Sequence, residues 1–198
     1  MREFIYYSKR AVTTGNFNTK DLMKAGRMDI VCNFVIMSFF TSHNLREDVK
    51  LHLIFDGPPN PPRHIEMFPG KNPGAVDISK KDIAGLIKRL LYKYKENQKN
   101  EVLPGYWIEK KSLIKLVEEL KQSGKKIYLL DKRGGDVRKE KLKKNSVFII
   151  GDHEGIPKEY LKRMKHEVDK ISIGPMVYFA SQSLTILQNE LDRTEIEK

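Results

Sequence analysis

The chain has only one cysteine and no long hydrophobic run. These two features exclude disulfide-stabilised and membrane-spanning classes of protein. Cys32 excludes an internal disulfide, and its place in the apolar segment 30–40 predicts a small buried side chain. No apolar run approaches the roughly 20 residues of a membrane-spanning helix. The first residues also lack the hydrophobic region of a signal peptide. We therefore expect no membrane partner, no secretion and a cytoplasmic location.

Metal-binding spacings, glycine-rich phosphate loops and nucleophile motifs are also missing. The five histidines are scattered, none four residues from another, so we expect no metal site. No Gly-x-Gly-x-x-Gly follows a predicted strand and no Gly-x-Ser-x-Gly occurs, which disfavours a dinucleotide-binding fold and a serine hydrolase. The segment 69–74 lacks the Gly-Lys-Ser/Thr ending of a phosphate loop and is interpreted as a surface turn.

Positive charge is what the sequence has in excess. Lysine and arginine total 37 against 26 acidic residues among 198, for a formal net charge of +11. The segment 132–144 holds seven of these basic residues. A surface of this kind fits a phosphate backbone and favours RNA or DNA as a partner. Lysine enrichment is also typical of heat-adapted proteins, so the charge alone does not decide.

Short apolar segments alternate with helical patterns along the chain. Strands are predicted at 4–7, 51–55, 127–130, 147–150 and 171–173, and helices at 29–42, 79–96, 112–121, 157–164 and 178–193. Asp29 and Ser79 are placed as N-caps. The segment 101–107 is either a short edge strand or a lid. This alternation predicts one α/β domain over 1–198, a mostly parallel sheet flanked by helices.

Glycines follow three of the predicted strands in the last 70 residues. They are Gly134 with Gly135, Gly151, and Gly174. In open parallel sheets ligands bind beyond the carboxyl ends of the strands, where glycine lets the backbone approach a ligand or adopt a positive φ. The pattern predicts a pocket built mainly by the C-terminal part, whose backbone groups can hold an adenine and a ribose.

An arginine and an aspartate lie together at the start of the first predicted helix, in the segment Gly-Arg-Met-Asp at 26–29. One interpretation is that Asp29 only caps the helix. The other is that Arg27 and Asp29 together grip a polar base edge and accept a proton.

Together, these motifs resemble one class of enzyme. The Gly-x-x-x-Gly turn at 151–155, the Ile-Gly-Pro-Met loop at 173–176 and the Ser-Leu-Thr segment at 183–185 resemble the SPOUT class of S-adenosylmethionine-dependent RNA methyltransferases. Gly-Arg-Met-Asp, Phe-Asp-Gly-Pro-Pro-Asn-Pro-Pro-Arg and Gly-Asp-His-Glu-Gly are similar to segments of the archaeal tRNA pseudouridine(54) N1-methyltransferase family. The resemblance covers nearly the whole chain.

The resemblance implies a C-terminal trefoil knot, a homodimer and methylation of N1 of pseudouridine 54 in the T-arm of tRNA, with S-adenosylmethionine as cofactor. It implies that Asp29 and Arg27 are catalytic and that Arg27 and Arg63 contact the RNA. It places the cofactor on nine residues: Leu130, Gly151, Gly174, Pro175, Met176, Val177, Tyr178, Phe179 and Ser183. Thr185 stands where ribose-methylating relatives usually carry Asn, which favours a base as target.

Two other functions stay open. One keeps the fold and takes ribosomal RNA as the substrate of the same pseudouridine N1-methylation. The other is an RNA-binding module without catalysis, in which Tyr106, Trp107 and Tyr178 stack on bases beside the basic surface.

Overall fold

A computed structural model of the chain describes residues 1–143 and 145–196. Its eight strands are β1 (Arg2–Ser8), β2 (Val49–Phe55), β3 (Arg63–Met67), β4 (Asn100–Leu103), β5 (Tyr106–Glu109), β6 (Lys126–Asp136), β7 (Ser146–Gly151) and β8 (Asp169–Ser172). Its α-helices are α1 (Met28–Phe39), α2 (Lys80–Tyr92), α3 (Leu113–Gln122), α4 (Lys158–Arg163) and α5 (Ala180–Ile196). Two short 3₁₀ helices cover Pro69–Lys71 and Pro73–Ala75.

One sheet contains all eight strands, in the order β4-β5-β3-β2-β1-β7-β6-β8. The strands β2, β1, β7, β6 and β8 pair in parallel, and β3, β5 and β4 add an antiparallel edge. β1 lies at the centre and is buried along its whole length, as expected for a strand covered on both faces. The prediction of an α/β fold with a mostly parallel sheet flanked by helices is confirmed.

The two faces of the sheet carry separate apolar cores. Alternate residues of β1 point to opposite faces, so that Phe4 and Tyr6 pack under α1, α2 and α5. Ile5 and Tyr7 pack on the other face with α3. The carboxyl ends of the parallel strands therefore lie between two helical layers, where the glycine-rich turns begin.

Serine side chains cap two helices, at Ser79 as predicted and at Ser112, the first residue of the predicted helix 112–121. The hydroxyl of Ser79 accepts the backbone N–H of Asp82 at 3.1 Å, and the hydroxyl of Ser112 accepts that of Lys115 at 3.3 Å. The prediction of Asp29 as an N-cap is wrong. Arg27 occupies the cap position with φ 65°. Asp29 lies in the first turn, where its negative charge interacts favourably with the positive end of the helix dipole.

Three helices have a boundary that lies two or more residues from the predicted one. α1 ends at Phe39 rather than at 42, because Phe40 turns extended and bridges to Leu45. α2 ends at Tyr92 rather than at 96. α5 begins at Ala180, two residues later than predicted, and continues to Ile196.

The antiparallel edge was not predicted in full. β3 directly follows the proline-rich loop 56–62. Its sequence, Arg-His-Ile-Glu-Met, is too polar to show the apolar pattern from which a strand is predicted. The segment 101–107 belongs to the β4–β5 hairpin, so the edge-strand interpretation is confirmed. β6 runs six residues beyond the predicted Leu130, because its bulged end at Gly135 and Asp136 pairs with β8 again. None of the described helices is both long and apolar enough to cross a membrane.

Candidate functional site

A cavity of about 570 Å³ opens at the carboxyl ends of β6, β7 and β8. Its volume falls in the range of small-molecule sites, roughly 300–1,000 Å³. Its walls come from residues within the segments 129–132, 150–156 and 171–183, together with Leu161 on α4 and Ile30 on α1. The prediction of a pocket built mainly by the C-terminal part is confirmed.

Eight of the nine residues predicted to bind the cofactor line this cavity: Leu130, Gly151, Gly174, Met176, Val177, Tyr178, Phe179 and Ser183. Pro175 belongs to the same loop but is not among the lining residues. Sequence reasoning did not name Ile150, Asp152 and Ile156, which also line the cavity. Their signal was their place around the Gly151–Gly155 turn.

The turn after β7 is tied to the end of β1 by Asp152. One carboxylate oxygen of Asp152 accepts the Ser8 hydroxyl at 2.8 Å and the Lys9 backbone N–H at 3.2 Å. The other accepts the backbone N–H of Glu154 at 2.8 Å. Because Asp152 is 8% exposed, these bonds hold the turn firmly against the cavity wall.

Two glycines are required by the local backbone. Gly174 has φ +134°, a conformation that residues with a side chain rarely adopt. At Gly134, an added Cβ would lie 2.5 Å from the backbone nitrogen of Ile171, because β6 and β8 approach closely there. The two glycines therefore shape the segments on either side of the cavity.

The loop after β8 exposes four large apolar side chains. Met176, Val177, Tyr178 and Phe179 are 64%, 78%, 42% and 72% exposed. Within the described chain, the backbone N–H groups of residues 176–178 have no hydrogen-bond acceptor. A loop with free backbone donors and an apolar surface can hold a flat heterocycle such as adenine, by edge hydrogen bonds and by contact with its face.

Arg27 and Asp29 form a two-point ion pair beside the cavity. The Nε and Nη2 atoms of Arg27 donate to the two carboxylate oxygens of Asp29, each at 3.0 Å. These hydrogen bonds lower the pKa of Asp29, and they raise the pKa of Arg27. The next residue, Ile30, lines the cavity, and the charges of the pair and of the lining residue Asp152 all act on Tyr6, so the pair lies beside the cavity, at its rim.

A buried hydroxyl lies near this pair. The Tyr6 side chain is fully buried, and its hydroxyl has no hydrogen-bond partner among the described residues. Burial raises the pKa of Tyr6, and the nearby charges of Asp152 and Asp29 raise it further. Tyr6 thus stays a neutral phenol between the cavity turn and the Arg27–Asp29 pair.

Other residues named from the sequence lie elsewhere. Arg63 is only 3% exposed: its guanidinium rests 3.6 Å from the centre of the Tyr94 ring and donates to the Pro62 carbonyl of the proline-rich loop at 3.0 Å. Its contact with RNA stays a prediction. Tyr106 is fully buried, so the expectation that it stacks on bases is wrong. Trp107 is half-buried beside Lys71 and Lys99, and Tyr178 is exposed.

The basic segment 132–144 is only partly available to a partner. Arg133 pairs with Asp131 and Arg138 pairs with Glu190. Lysines 132, 139, 141 and 143 of this segment have no recorded ion pair within the described chain, and Lys144 lies outside the described residues. The positive surface extends next to the cavity, because Lys132 is one of its lining residues.

Two of the scattered histidines meet in the folded sheet. His52 Nδ1 lies 2.9 Å from His64 Nε2, and the outer ring nitrogens lie 2.9 Å from Glu3 and 3.0 Å from Glu109. With Glu66, their ligand atoms lie within 4.8 Å of one another, a set that can hold a metal ion. Lys99 already binds Glu66 at 2.7 Å, and the histidine nitrogens bind each other. A metal-free protein therefore stays our prediction.

Comparison with known proteins adds a family. The chain matches the family model Methyltrn_RNA_2, described as "Putative SAM-dependent RNA methyltransferase", over residues 1–196. A tRNA (pseudouridine(54)-N(1))-methyltransferase from Methanococcoides burtonii is 36% identical over 196 residues, which cover 98% of this chain and 96% of that protein. A protein of the same name from Methanocaldococcus jannaschii is also 36% identical, over 99% of this chain and 98% of its own length.

The fold also matches a solved structure. The crystal structure of Archaeoglobus fulgidus Nep1 bound to S-adenosylhomocysteine aligns with a TM-score of 0.69 and 15% identity, covering 98% of this chain and 99% of that one. At this identity the likeness shows a shared fold. With the family match over residues 1–196 and full-length relatives at 36% identity, the chain belongs to the tRNA (pseudouridine(54)-N(1))-methyltransferase family of RNA methyltransferases.

Proposed function

We propose that this chain is an S-adenosylmethionine-dependent enzyme that methylates N1 of pseudouridine 54 in the T-arm of tRNA. The observation that carries the proposal is the juxtaposition of the cavity with the Arg27–Asp29 pair at its rim. The names of the archaeal relatives support the choice of reaction and of substrate. A tRNA substrate also supports a cytoplasmic location.

The residues present fit the cofactor. The loop 174–179 offers free backbone donors and an apolar face to the adenine, and the Gly151 turn leaves room for the ribose and the amino-acid part. Leu130, Pro175 and Ser183 complete the set we assign to cofactor binding. When bound, S-adenosylmethionine supplies a methyl group on a sulfonium, which is already activated for transfer. The main task of the protein is therefore to hold the target nitrogen in line with it.

We assign Asp29 as the base that accepts the proton leaving N1 of pseudouridine. Pseudouridine is joined to ribose through carbon, so its N1 carries a hydrogen that must leave as the N–CH₃ bond forms. Asp29 is ionised at neutral pH, and the hydrogen bonds from Arg27 hold its pKa below the usual value. Arg27 occupies one lone pair on each carboxylate oxygen, so others remain for N1–H or a water. Arg27 holds Asp29 and contacts a carbonyl oxygen or phosphate of the RNA.

Asp29→Asn tests this assignment. We expect the single-turnover methylation rate to fall by about 10²-fold or more, the usual contribution of a general base. Asp48→Asn is the matched control, because Asp48 also faces an arginine, Arg2, but at the opposite end of the sheet. A rate for Asp29→Asn within about threefold of wild type would show that Asp29 is not the base.

Arg27→Ala separates binding from chemistry. We expect it chiefly to weaken tRNA binding, measured by filter binding or fluorescence anisotropy at constant salt, because the cation is lost from the rim of the cavity. Intact tRNA affinity with lost turnover would contradict the role of Arg27 in holding RNA.

We propose that the protein is a homodimer. The exposed apolar side chains of the loop 176–179 and of Met37, which is 42% exposed on α1, support a second copy as their cover. Analytical ultracentrifugation at micromolar concentration tests this assembly. A monomer that still methylates tRNA would contradict it.

We also propose that the C-terminal part is a trefoil knot. The segment after Leu130 folds back on β8, where Val137 N–H donates to the Ser172 carbonyl at 2.9 Å, and then reaches α5 through the Arg138–Glu190 pair. This supports a loop that surrounds the path from β8 to α5. Pulling the chain by its ends with optical tweezers tests it, because a knotted chain stays shorter than its full contour length.

Two experiments separate the alternatives. Calorimetry with S-adenosylmethionine distinguishes an enzyme from a non-catalytic RNA-binding module, because only the enzyme is expected to bind this cofactor. Mass mapping of methylated nucleosides after incubation with tRNA and with ribosomal RNA distinguishes the two substrates. We expect methylation of tRNA that EDTA does not reduce, because an activated methyl group needs no metal.

A further inference from the structure

A second groove lies away from the cofactor cavity, against the exposed side of α2. Its volume is about 590 Å³. One wall is α2, and the other comes from Thr19, the 3₁₀ turns around Asn72 and Gly74, and Leu103 of β4. None of the residues that line the cofactor cavity lines this groove.

Two cations and a glycine form one stripe of the α2 wall. Lys81, Gly85 and Arg89 are spaced by four residues, so they lie above one another on the helix, with Lys81 and Arg89 about 12 Å apart along its axis. All three are exposed. In the part of the chain that the structure describes, neither Lys81 nor Arg89 has an ion pair or a hydrogen-bonded side-chain partner. Both charges are therefore free for a ligand.

Gly85 has no packing reason to be glycine. A Cβ added there would meet no atom within 4 Å. Glycine inside a helix costs about 1 kcal/mol relative to alanine, a cost that nothing in the fold offsets. Its effect is to leave the α2 wall of the groove without a side chain between the two cations. Residues that oppose stability without a structural gain are typical of functional surfaces.

The groove is cationic with one internal exception. Asp82 also lines it, but its carboxylate accepts the Ser79 hydroxyl as part of the helix cap. Lys20 and Lys71 neighbour the lining residues Thr19 and Asn72 in sequence, and both are exposed. The groove thus suits an extended polyanion rather than a second copy of this chain, which would bring like charges together.

The opposite wall leads to the Arg27–Asp29 pair. Lys88 Nζ donates to the Phe17 carbonyl at 2.7 Å, which fixes the loop against α2. From Thr19 onward the loop forms successive hydrogen-bonded turns, ending in Arg27 N–H to Met23 carbonyl at 3.2 Å. Eight residues separate Thr19 from Arg27, at most about 28 Å even if fully extended. One RNA arm can therefore reach both places.

We propose that this groove binds the phosphodiester backbone of the substrate RNA, with Lys81 and Arg89 on phosphates and Gly85 as the open stretch of the α2 wall between them. The proposal rests on the proposed function for the identity of the RNA. It adds an RNA contact surface on α2, separate from the catalytic rim. Phosphate contacts of this kind position the RNA without reading its sequence.

Gly85→Glu is the sharpest test. The new carboxylate lies four residues from both Lys81 and Arg89, so it pairs with them and preserves the helix while repelling phosphate. We expect tRNA affinity at physiological salt to fall at least tenfold, with thermal stability equal to or above that of wild type. Gly85→Gln is the matched neutral control, for which we expect a change of threefold or less.

A second pair of variants tests the charges without filling the groove. Lys81→Gln/Arg89→Gln removes two positive charges, and Lys115→Gln/Lys121→Gln removes two from α3 on the other face of the sheet. We expect the first double variant to reduce the slope of log affinity against log salt by about 2. The second double variant is expected to leave that slope unchanged.

The results separate this proposal from the proposed function. Unchanged tRNA affinity in Gly85→Glu and in Lys81→Gln/Arg89→Gln would contradict RNA binding by the groove, whether or not the wild type methylates tRNA. A change of oligomeric state in Gly85→Glu without loss of affinity would also overturn it, since the groove would then join two copies. If these variants lose tRNA affinity but the wild type methylates no pseudouridine, RNA binding by the groove is supported and only the proposed reaction is refuted.

Discussion

At the scale of single residues, the cofactor cavity depends on backbone conformations that only glycine adopts easily. Gly174 has φ +134° and lines the cavity, and Gly124 has φ +79° in the turn between α3 and β6. In both, an added Cβ meets no atom within 4 Å, so a substitution is strained by the backbone and not by contact. The two glycines are a matched pair, one inside the site and one outside it.

Gly174→Ala is expected to weaken binding of S-adenosylhomocysteine at least tenfold in isothermal titration calorimetry. The physical reason is that alanine shifts the loop 174–179 out of its positive-φ turn and displaces the backbone donors that follow. Gly124→Ala is the control: it carries a strain of the same kind, about 1–2 kcal/mol, and is expected to lower the melting temperature without changing cofactor affinity. Equal affinities for the two variants would contradict the assignment of the loop to the cofactor.

Tyr6→Phe is expected to stabilise the protein. The Tyr6 hydroxyl is buried without a partner among the described residues, and a buried unpaired polar group costs about 1–3 kcal/mol. For a chain of this length, 1 kcal/mol raises the melting temperature by about 2–4 °C, which differential scanning calorimetry resolves. A lower melting temperature for Tyr6→Phe would show that the hydroxyl is hydrogen-bonded in solution.

At the scale of elements, four strands share one buried chain of hydrogen bonds, from Glu3 on β1 through His52 and His64 to Glu109 on β5. Burial lowers the pKa of His64 to about 4, so the His64 ring is neutral.

The free energy of unfolding is expected to fall as pH decreases from 6.5 to 4. In this range His64 binds a proton in the unfolded chain but not in the folded chain, because the pKa of His64 falls from 6.5 to about 4 on folding. Urea unfolding at several pH values measures this slope. His64→Gln should flatten it, whereas His43→Gln, at an exposed histidine, should not.

Two glutamates extend this acid sensitivity. Although burial opposes it, hydrogen bonds and charges from His52 and Lys125 lower the pKa of Glu3 to about 2. His64 and Lys111 do the same for Glu109, also to about 2. Their stabilisation is complete above pH 4.5 and is lost as pH falls toward 2. An unfolding free energy that is flat below pH 6.5 would contradict the whole network.

At the scale of the molecule, one sheet joins the N-terminal and C-terminal parts, which supports a single domain over 1–198. β1 pairs with β2 on one side and with β7 on the other. Trp107, the one tryptophan, lies on β5 at the antiparallel edge, while the cavity lies at the ends of β6, β7 and β8.

Saturation with S-adenosylhomocysteine is therefore expected to raise the thermal transition seen by Trp107 fluorescence as much as the one seen by far-ultraviolet circular dichroism. The reason is that a ligand stabilises the whole cooperative unit to which it binds, by about 2.7 kcal/mol at one hundred times its dissociation constant. A tryptophan transition that does not move with the ligand would divide the chain into two domains.

The elements with regular apolar patterns could be predicted from the sequence. The runs 4–7 and 147–150 became β1 and β7, and Ser79 and Ser112 cap α2 and α3. β3 could not be predicted, because its alternate residues are histidine and glutamate, buried only through partners from other strands. The cap at Arg27 was missed because a positive φ in arginine has no local signal.

Apolar periodicity and glycine placement, which are local properties, were enough to predict the α/β class and a pocket after β6, β7 and β8, and the resemblance of the motifs gave the family and the cofactor residues. The contacts across the sheet and between loops became apparent only in the folded chain. It buried Arg63 and Tyr106, joined His52 to His64 and set Lys81 and Arg89 over an open groove. The physical reason is that burial, pairing and free charge depend on residues far apart in the chain.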